Sequence, residues 1–243
     1  MSGHSKWSTI KRKKEKTDAQ RANVFTKIGR EISVAVREGG SDPTVNFKLR
    51  DLIAKAKANN IPYENIERTI KKSSGSGEKN DYEEIIYEGY GPNGVAVIVE
   101  SLTDNRNRTA GDVRHYFDKF GGNLGTTGCV SFMFKQRGVI VLDAALYEEN
   151  KVMDDALSAG ADDLSAEEDV YEIFTDPASF SEVADTLQKA GYEFLSAQVE
   201  YVPDTYVSLT DEDHLKKMNL LLEHLEENDD VQNVWHNWDN PDN

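Results

Sequence analysis

GVIVLDAALYEENKVMDDALSAGADDLSAEEDVYEIFTDPASFSEVADTLQKAGYEFLSAQVEY, residues 138–201, switches repeatedly between strand-length apolar runs and helical spacing. Gly138–Leu142 reads as a strand, Tyr147–Ser158 as a helix and Asp163–Ser165 as a short strand. Val170–Thr175 reads as a strand, Phe180–Ala190 as a helix and Tyr192–Tyr201 as a strand. The order βαββαβ predicts a ferredoxin-like unit.

Downstream, Pro203 breaks the series. A short strand at Tyr206–Leu209, a helix at Asp211–Glu226 and a strand at Val231–Trp235 follow, with no complete set of partners of their own. Upstream, Tyr82–Tyr87 and Val95–Ser101 read as strands, Arg108–Phe120 as a helix and Cys129–Phe134 as a strand. That group lacks a helix and a strand to cover its sheet, so the two incomplete sets are expected to complete each other around the ferredoxin-like unit. Further upstream, Ser73-Ser74-Gly75-Ser76-Gly77 reads as a linker.

Before the linker the periodicity is helical. Asp18 can cap a helix to about Arg37, with Phe25, Ile28, Ile32, Ala35 and Val36 on one face, ended by Gly39-Gly40. Asp42-Pro43 starts a second helix with Phe47, Leu49, Leu52, Ile53 and Ala56 as its buried side. Pro62 starts a third, with Ile66 and Ile70 inward. The expected class is α+β: an N-terminal three-helix domain followed by two α+β domains, one ferredoxin-like and inserted into the other. The expected boundaries are 1–78, 79–134 plus 204–243, and 135–203.

Charge divides along the same line. The first thirty residues hold nine Lys/Arg against two acids, a local +7 in a chain of net charge −16. Residues 1–72 hold 17 Lys/Arg and 8 Asp/Glu, a net of +9, which leaves 11 and 36 beyond them, a net of −25. An acidic chain with one basic end predicts nucleic-acid contact through that end. The alternative is that the basic end pairs with the acidic domains of its own chain. The candidate contact residues are Lys6, Trp7, Lys11, Arg12, Lys13, Lys14, Arg21, Lys27 and Arg30, with Trp7 offering a ring to stack on a base. The segment before Asp18 has little to bury and reads as an arm.

Other motifs yield less. Gly89-x-Gly91-x-x-Gly94 has the letters of a dinucleotide fingerprint, but the strand that follows it and Pro92-Asn93-Gly94 make it hairpin turn chemistry. Asp104-Asn105-Arg106-Asn107-Arg108-Thr109 opens a helix that Asn107 or Asp104 could cap. Arg106 and Arg108 could meet an anion there, or only balance nearby acids. Gly121–Gly128 is glycine-dense without Walker spacing, so it is either a plain loop or one that touches RNA or protein through its backbone. The acids at 226–230 read as solvated or repulsive surface. No histidine pair has zinc spacing and no catalytic constellation stands out, so neither cofactor nor enzymatic activity is expected. Cys129 is the single cysteine and no apolar run spans a bilayer, which suits a cytoplasmic protein. Without heptads or a long apolar face, a monomer is the default.

Gly3-His4-Ser5-Lys6-Trp7, Ile10-Lys11, Asp18-Ala19-x-Arg21 and Phe25-x-Lys27 resemble the N-terminus of the YebC family. Tyr87-Glu88-Gly89-Tyr90-Gly91-Pro92-x-Gly94, Asp104-Asn105-x-Asn107-Arg108-Thr109, Gly121-Gly122-Asn123-Leu124-Gly125 and Asp229-Asp230-Val231-Gln232-x-Val234-x-His236-Asn237 extend the resemblance over essentially the whole chain. Arg12 departs from it, standing where many members carry His, with the charge kept. The resemblance implies a bacterial cytoplasmic protein with a helical domain and two α+β domains, and the role of a DNA-binding transcriptional regulator. It also implies a second possibility, because mitochondrial relatives act in translation and bacterial members are linked to relief of ribosome stalling. The partner would then be ribosomal RNA or tRNA on the ribosome rather than DNA.

Overall fold

The computed structural model of the chain describes residues 18–75, 81–167 and 169–239, with side chains from residue 22 onward. The first domain is three helices: α1 (Asp18–Gly39), α2 (Phe47–Ala58) and α3 (Tyr63–Ser74). They enclose Ile28, Ile32, Ala35, Val36, Leu49, Ala56, Ile61 and Ile66. Asn46 joins α1 to α2. Its Oδ1 accepts the Leu49 N–H at 3.0 Å, and its amide donates to the carbonyls of Ala35 and Gly40, both at 2.8 Å. One expectation fails here. Phe47 is not on the buried side of α2 but 63% exposed. Two residues of helix turn by about 200°, so a residue two before Leu49 faces away from the core that Leu49 enters.

The chain continues as β1 (Glu83–Tyr90), β2 (Ala96–Thr103), α4 (Arg106–Lys119) and β3 (Asn123–Leu124). Next come β4 (Phe134–Asp143), α5 (Glu149–Ala159), β5 (Asp163–Ala166), β6 (Val170–Thr175), α6 (Phe180–Lys189) and β7 (Ser196–Pro203). The last elements are α7 (Glu212–Glu227) and β8 (Val231–His236). Two antiparallel sheets result, ordered β3-β1-β2-β8 and β5-β6-β4-β7. The second is the ferredoxin-like order. The first draws β8 from beyond the second, pairing Val97 with His236 and Val99 with Val234. The ferredoxin-like unit is therefore inserted into the other α+β domain.

Each sheet is covered by helices on one face. Val95, Val97 and Val99 pack with Val113 and Phe117 of α4 and with Met218, Leu221, Leu222 and Leu225 of α7. Ile140, Leu142 and Ile173 pack with Val152, Ala156, Val183 and Leu187 of α5 and α6. The other face of the first sheet, through Ala96, Ile98 and Trp235, meets Phe134 and Tyr201 of the inserted unit.

Two further expectations are corrected. Cys129–Phe134 is not a strand: Ser131–Met133 is a turn of 3-10 helix, and β4 runs unbroken from Phe134. The cause is Glu88, whose carboxylate takes the N–H groups of Gly128, Val130 and Ser131 and bends the backbone around itself. Tyr206–Leu209 is reduced to a single bridge between Val207 and Trp238.

Candidate nucleic-acid interface

Lys6, Trp7, Lys11, Arg12, Lys13 and Lys14 lie outside the described residues, as does the side chain of Arg21. Lys27 and Arg30 lie on α1, and both turn toward the acidic body. Asn23, Lys27 and Arg30 recur at i, i+4 and i+7, so they share a face. Asn23 donates to the Glu227 carbonyl at 2.7 Å, and Lys27 donates to the Glu226 carbonyl at 2.6 Å. These are carbonyls at the C-terminal end of α7, which lack helical partners and carry the negative end of its dipole.

Arg30 reaches furthest. One Nη donates to Asp230 Oδ1 at 2.5 Å, to the Asp229 carbonyl at 2.8 Å and to the Leu102 carbonyl at 3.2 Å. Arg108 comes to the same carboxylate from α4, with Nη2 2.8 Å from Asp230 Oδ2 and 2.8 Å from Asp104 Oδ1. The Thr109 hydroxyl donates to Asp230 Oδ2 at 2.7 Å. The Asp230 side chain is only 4% exposed. Burial alone raises its pKa, but the bonds from Arg108, Thr109 and Arg30 outweigh burial and hold it below the ordinary carboxylate range.

Arg30 and Arg108 therefore meet as two cations on one buried anion, joining the helical domain to the central one. Arg106 stays largely exposed, with a long 3.4 Å contact to Glu83. Asn105, rather than Asn107 or Asp104, caps α4 by accepting the Arg108 N–H at 3.1 Å. The cleft beside these groups, about 360 Å³, is lined by Asp104, Asp112, Glu227, Asp229 and Asp230 together with Arg30, Arg108 and Asn228. Five acids around two engaged arginines leave that cleft negative, a poor seat for phosphate.

Gly128, at the end of the Gly121–Gly128 loop, joins Val130 and Ser131 beyond it in binding an anion through backbone N–H groups, but the anion belongs to the chain itself. Glu88 is 3% exposed and receives N–H groups at 2.8, 2.9 and 2.8 Å. Burial works to raise its pKa, and those bonds leave it lowered. The glycines answer to packing. A Cβ on Gly122 would lie 2.5 Å from the Tyr90 carbonyl, and one on Gly89 would lie 2.6 Å from that of Asn123. Asp230 and Glu88 are the residues sequence reasoning missed. Asp230 ends an acidic run that reads as surface, and nothing local marks its last member as buried.

Comparison with known proteins bears on the whole chain. Residues 5–76 match a family model described as the TACO1/YebC protein N-terminal domain, and residues 82–238 match one described as the TACO1/YebC second and third domain. A probable transcriptional regulatory protein of Acetivibrio thermocellus is 60% identical, over 98% of this chain and 99% of its own length. Another so named, from Finegoldia magna, is 56% identical over 99% of this chain and 100% of its own. The crystal structure of a conserved hypothetical protein from Aquifex aeolicus superposes with a TM-score of 0.84 at 47% identity, covering 92% of each chain.

Proposed function

We propose that this chain, which belongs to the TACO1/YebC family, is a non-enzymatic, cytoplasmic regulator of gene expression that binds nucleic acid through its N-terminal segment. The observation that carries this reading is the charge asymmetry: +7 in the first thirty residues and −25 beyond residue 72. Phosphates attract the first part and are repelled by the rest, so affinity and orientation have one source. Lys6, Lys11, Arg12, Lys13, Lys14 and Arg21 would neutralise phosphates, with Trp7 stacking on a base. The relatives' name, probable transcriptional regulatory protein, favours transcription as the setting, and DNA would then be the target.

A second reading, a ribosome-associated translation factor on ribosomal RNA or tRNA, draws support from α1. Asn23, Lys27 and Arg30 hold one face of that helix against the body. That face is not offered to a major groove, where a recognition helix would read base edges. Phosphate contact without base readout suits structured RNA at least as well as an operator.

Sucrose-gradient sedimentation of cell lysate, run beside gel shifts on duplex DNA with competitor, separates the two. Slow sedimentation away from ribosomes with sequence-dependent shifts supports the transcriptional reading. Co-migration with ribosomal subunits and indifference to DNA sequence supports the translational one. Absence of binding to any nucleic acid would overturn both.

A further inference from the structure

Phe47, at the start of α2, and Tyr63, at the start of α3, are large aromatic side chains left 63% and 57% exposed. Each has a cation over its ring: Arg50 lies 5.1 Å from the Phe47 centroid, and Lys57 lies 5.6 Å from that of Tyr63. Helical geometry puts these groups in a row. Phe47, Arg50, Ala54 and Lys57 fall at i, i+3, i+7 and i+10, one stripe down the outside of α2. The stripe ends at Tyr63, beyond the turn at Asn59-Asn60. All five are exposed, and the four on α2 lie on the side of that helix opposite Leu49 and Ala56. The row therefore reads aromatic, cation, small residue, cation, aromatic.

We propose that this stripe is a second nucleic-acid contact, a stacking platform for a short unpaired segment of the strand held by the N-terminal arm. The inference rests on the nucleic-acid reading given above and adds the form of the ligand. A duplex keeps its bases stacked on one another and offers phosphates alone. Exposed rings with cations beside them suit bases that are already unstacked, with the backbone on the cations. Ten residues of helix span about 15 Å, the length of roughly four stacked nucleotides.

Charge favours this occupant. Residues 18–75 hold 11 Lys/Arg and 7 Asp/Glu, a net of +4, against the strongly acidic remainder. Asp51 lies on the stripe and is 3.3 Å from Arg50 Nε, partly offsetting it. Lys57 has no ion pair among the described residues. Val45, 69% exposed beside Phe47, widens the apolar end.

The test is fluorescence anisotropy of the full-length protein with labelled 12-nucleotide oligo(U) and with a 16-base-pair mixed-sequence duplex. Wild type is compared with Phe47→Ala, Tyr63→Ala, the double variant and Phe47→Tyr. One lost stacking contact should weaken oligo(U) binding roughly five- to 150-fold. The double variant should lose more, Phe47→Tyr should bind like wild type, and duplex binding should stay within about twofold. Unchanged oligo(U) binding by the double variant, with wild type binding tightly, overturns the platform while the arm's role stands. A wild type that binds neither probe overturns both readings. Equal losses on duplex and oligo(U) would show a charge or folding effect and would also overturn the platform; circular dichroism melting identifies a misfolded variant, and the single alanine variant that melts like wild type then decides. Sedimentation as a dimer that the double variant makes monomeric would assign the patch to a second copy of the chain and overturn the proposal.

Discussion

Asp230 sits where three parts of the chain meet, and its charge holds them. It is buried, and Arg30, Arg108 and Thr109 each bond to it. Asp230→Asn keeps the shape and removes the anion. Two guanidiniums are then left against the buried Asn side chain, and breaking such a set costs about 2–4 kcal/mol, discounted because Arg108 is half-exposed. Urea unfolding should show that loss, with Arg108→Gln costing less than Arg30→Gln. The pH dependence follows from the depressed pKa. A carboxyl held below its unfolded value near 3.9 contributes stability that is full above about pH 4 and fades as pH falls through the folded value. Wild type should therefore lose more stability than Asp230→Asn between about pH 5 and pH 2; parallel curves would contradict the role given to this charge. Glu88 is a second case. Glu88→Gln puts an amide among three inward N–H groups that want only acceptors, with an expected cost of about 1–3 kcal/mol and loosening of residues 121–131 seen by amide exchange. Neither acid was legible as buried, because sequence records an acid's type and neighbours along the chain but not, for Asp230, an arginine 200 positions away or, for Glu88, a backbone N–H 40 positions on.

Helices and strands with their own period could be read directly. The faces of α1 and the βαββαβ order follow from apolar spacing and survive in the structure. Errors gather where something distant overrides local pattern. Phe47 is apolar and near a helix start, yet the turn of the helix carries it outward. The run Cys129–Phe134 is apolar enough for a strand, but Glu88 claims its N–H groups first. At two residues, β3 is too short to leave any period; it exists because Gly89 and Gly122 let backbones approach. A prediction at this scale concerns Gly138, which pairs with Thr175 on β6 and Val199 on β7. A Cβ there would run first into the Thr175 hydroxyl on β6 and would also lie 2.6 Å from the Phe180 ring on α6. Gly138→Ala must displace the Thr175 hydroxyl and push Phe180 of α6 away from the sheet, an overpacking cost of about 1–3 kcal/mol. Thermal melting checks it, and an unchanged Tm would mean that α6 shifts freely.

At the scale of the whole molecule, the two signs of charge are kept apart in sequence and then joined at one seam. Asn23, Lys27 and Arg30 face the end of α7, so part of the N-terminal charge is internal to the fold and only the remainder can meet a ligand. That division sets a number. If the arm neutralises about four to six phosphates, log K against log salt should fall with a slope of about −3 to −5. Deleting residues 2–16 removes six Lys/Arg and one Glu. Among the described residues, the core of the helical domain is built from residues beyond this deletion. The shortened protein should melt as before and bind far more weakly. Its residual salt slope separates the contributions: a value of about −1.4 would match Arg50 and Lys57 still touching the unpaired strand, and a value near zero would place the whole electrostatic contact on the arm. A deletion that left both affinity and slope intact would remove the arm from the binding account and move the search for phosphate contacts to the exposed cations of α2 and α3.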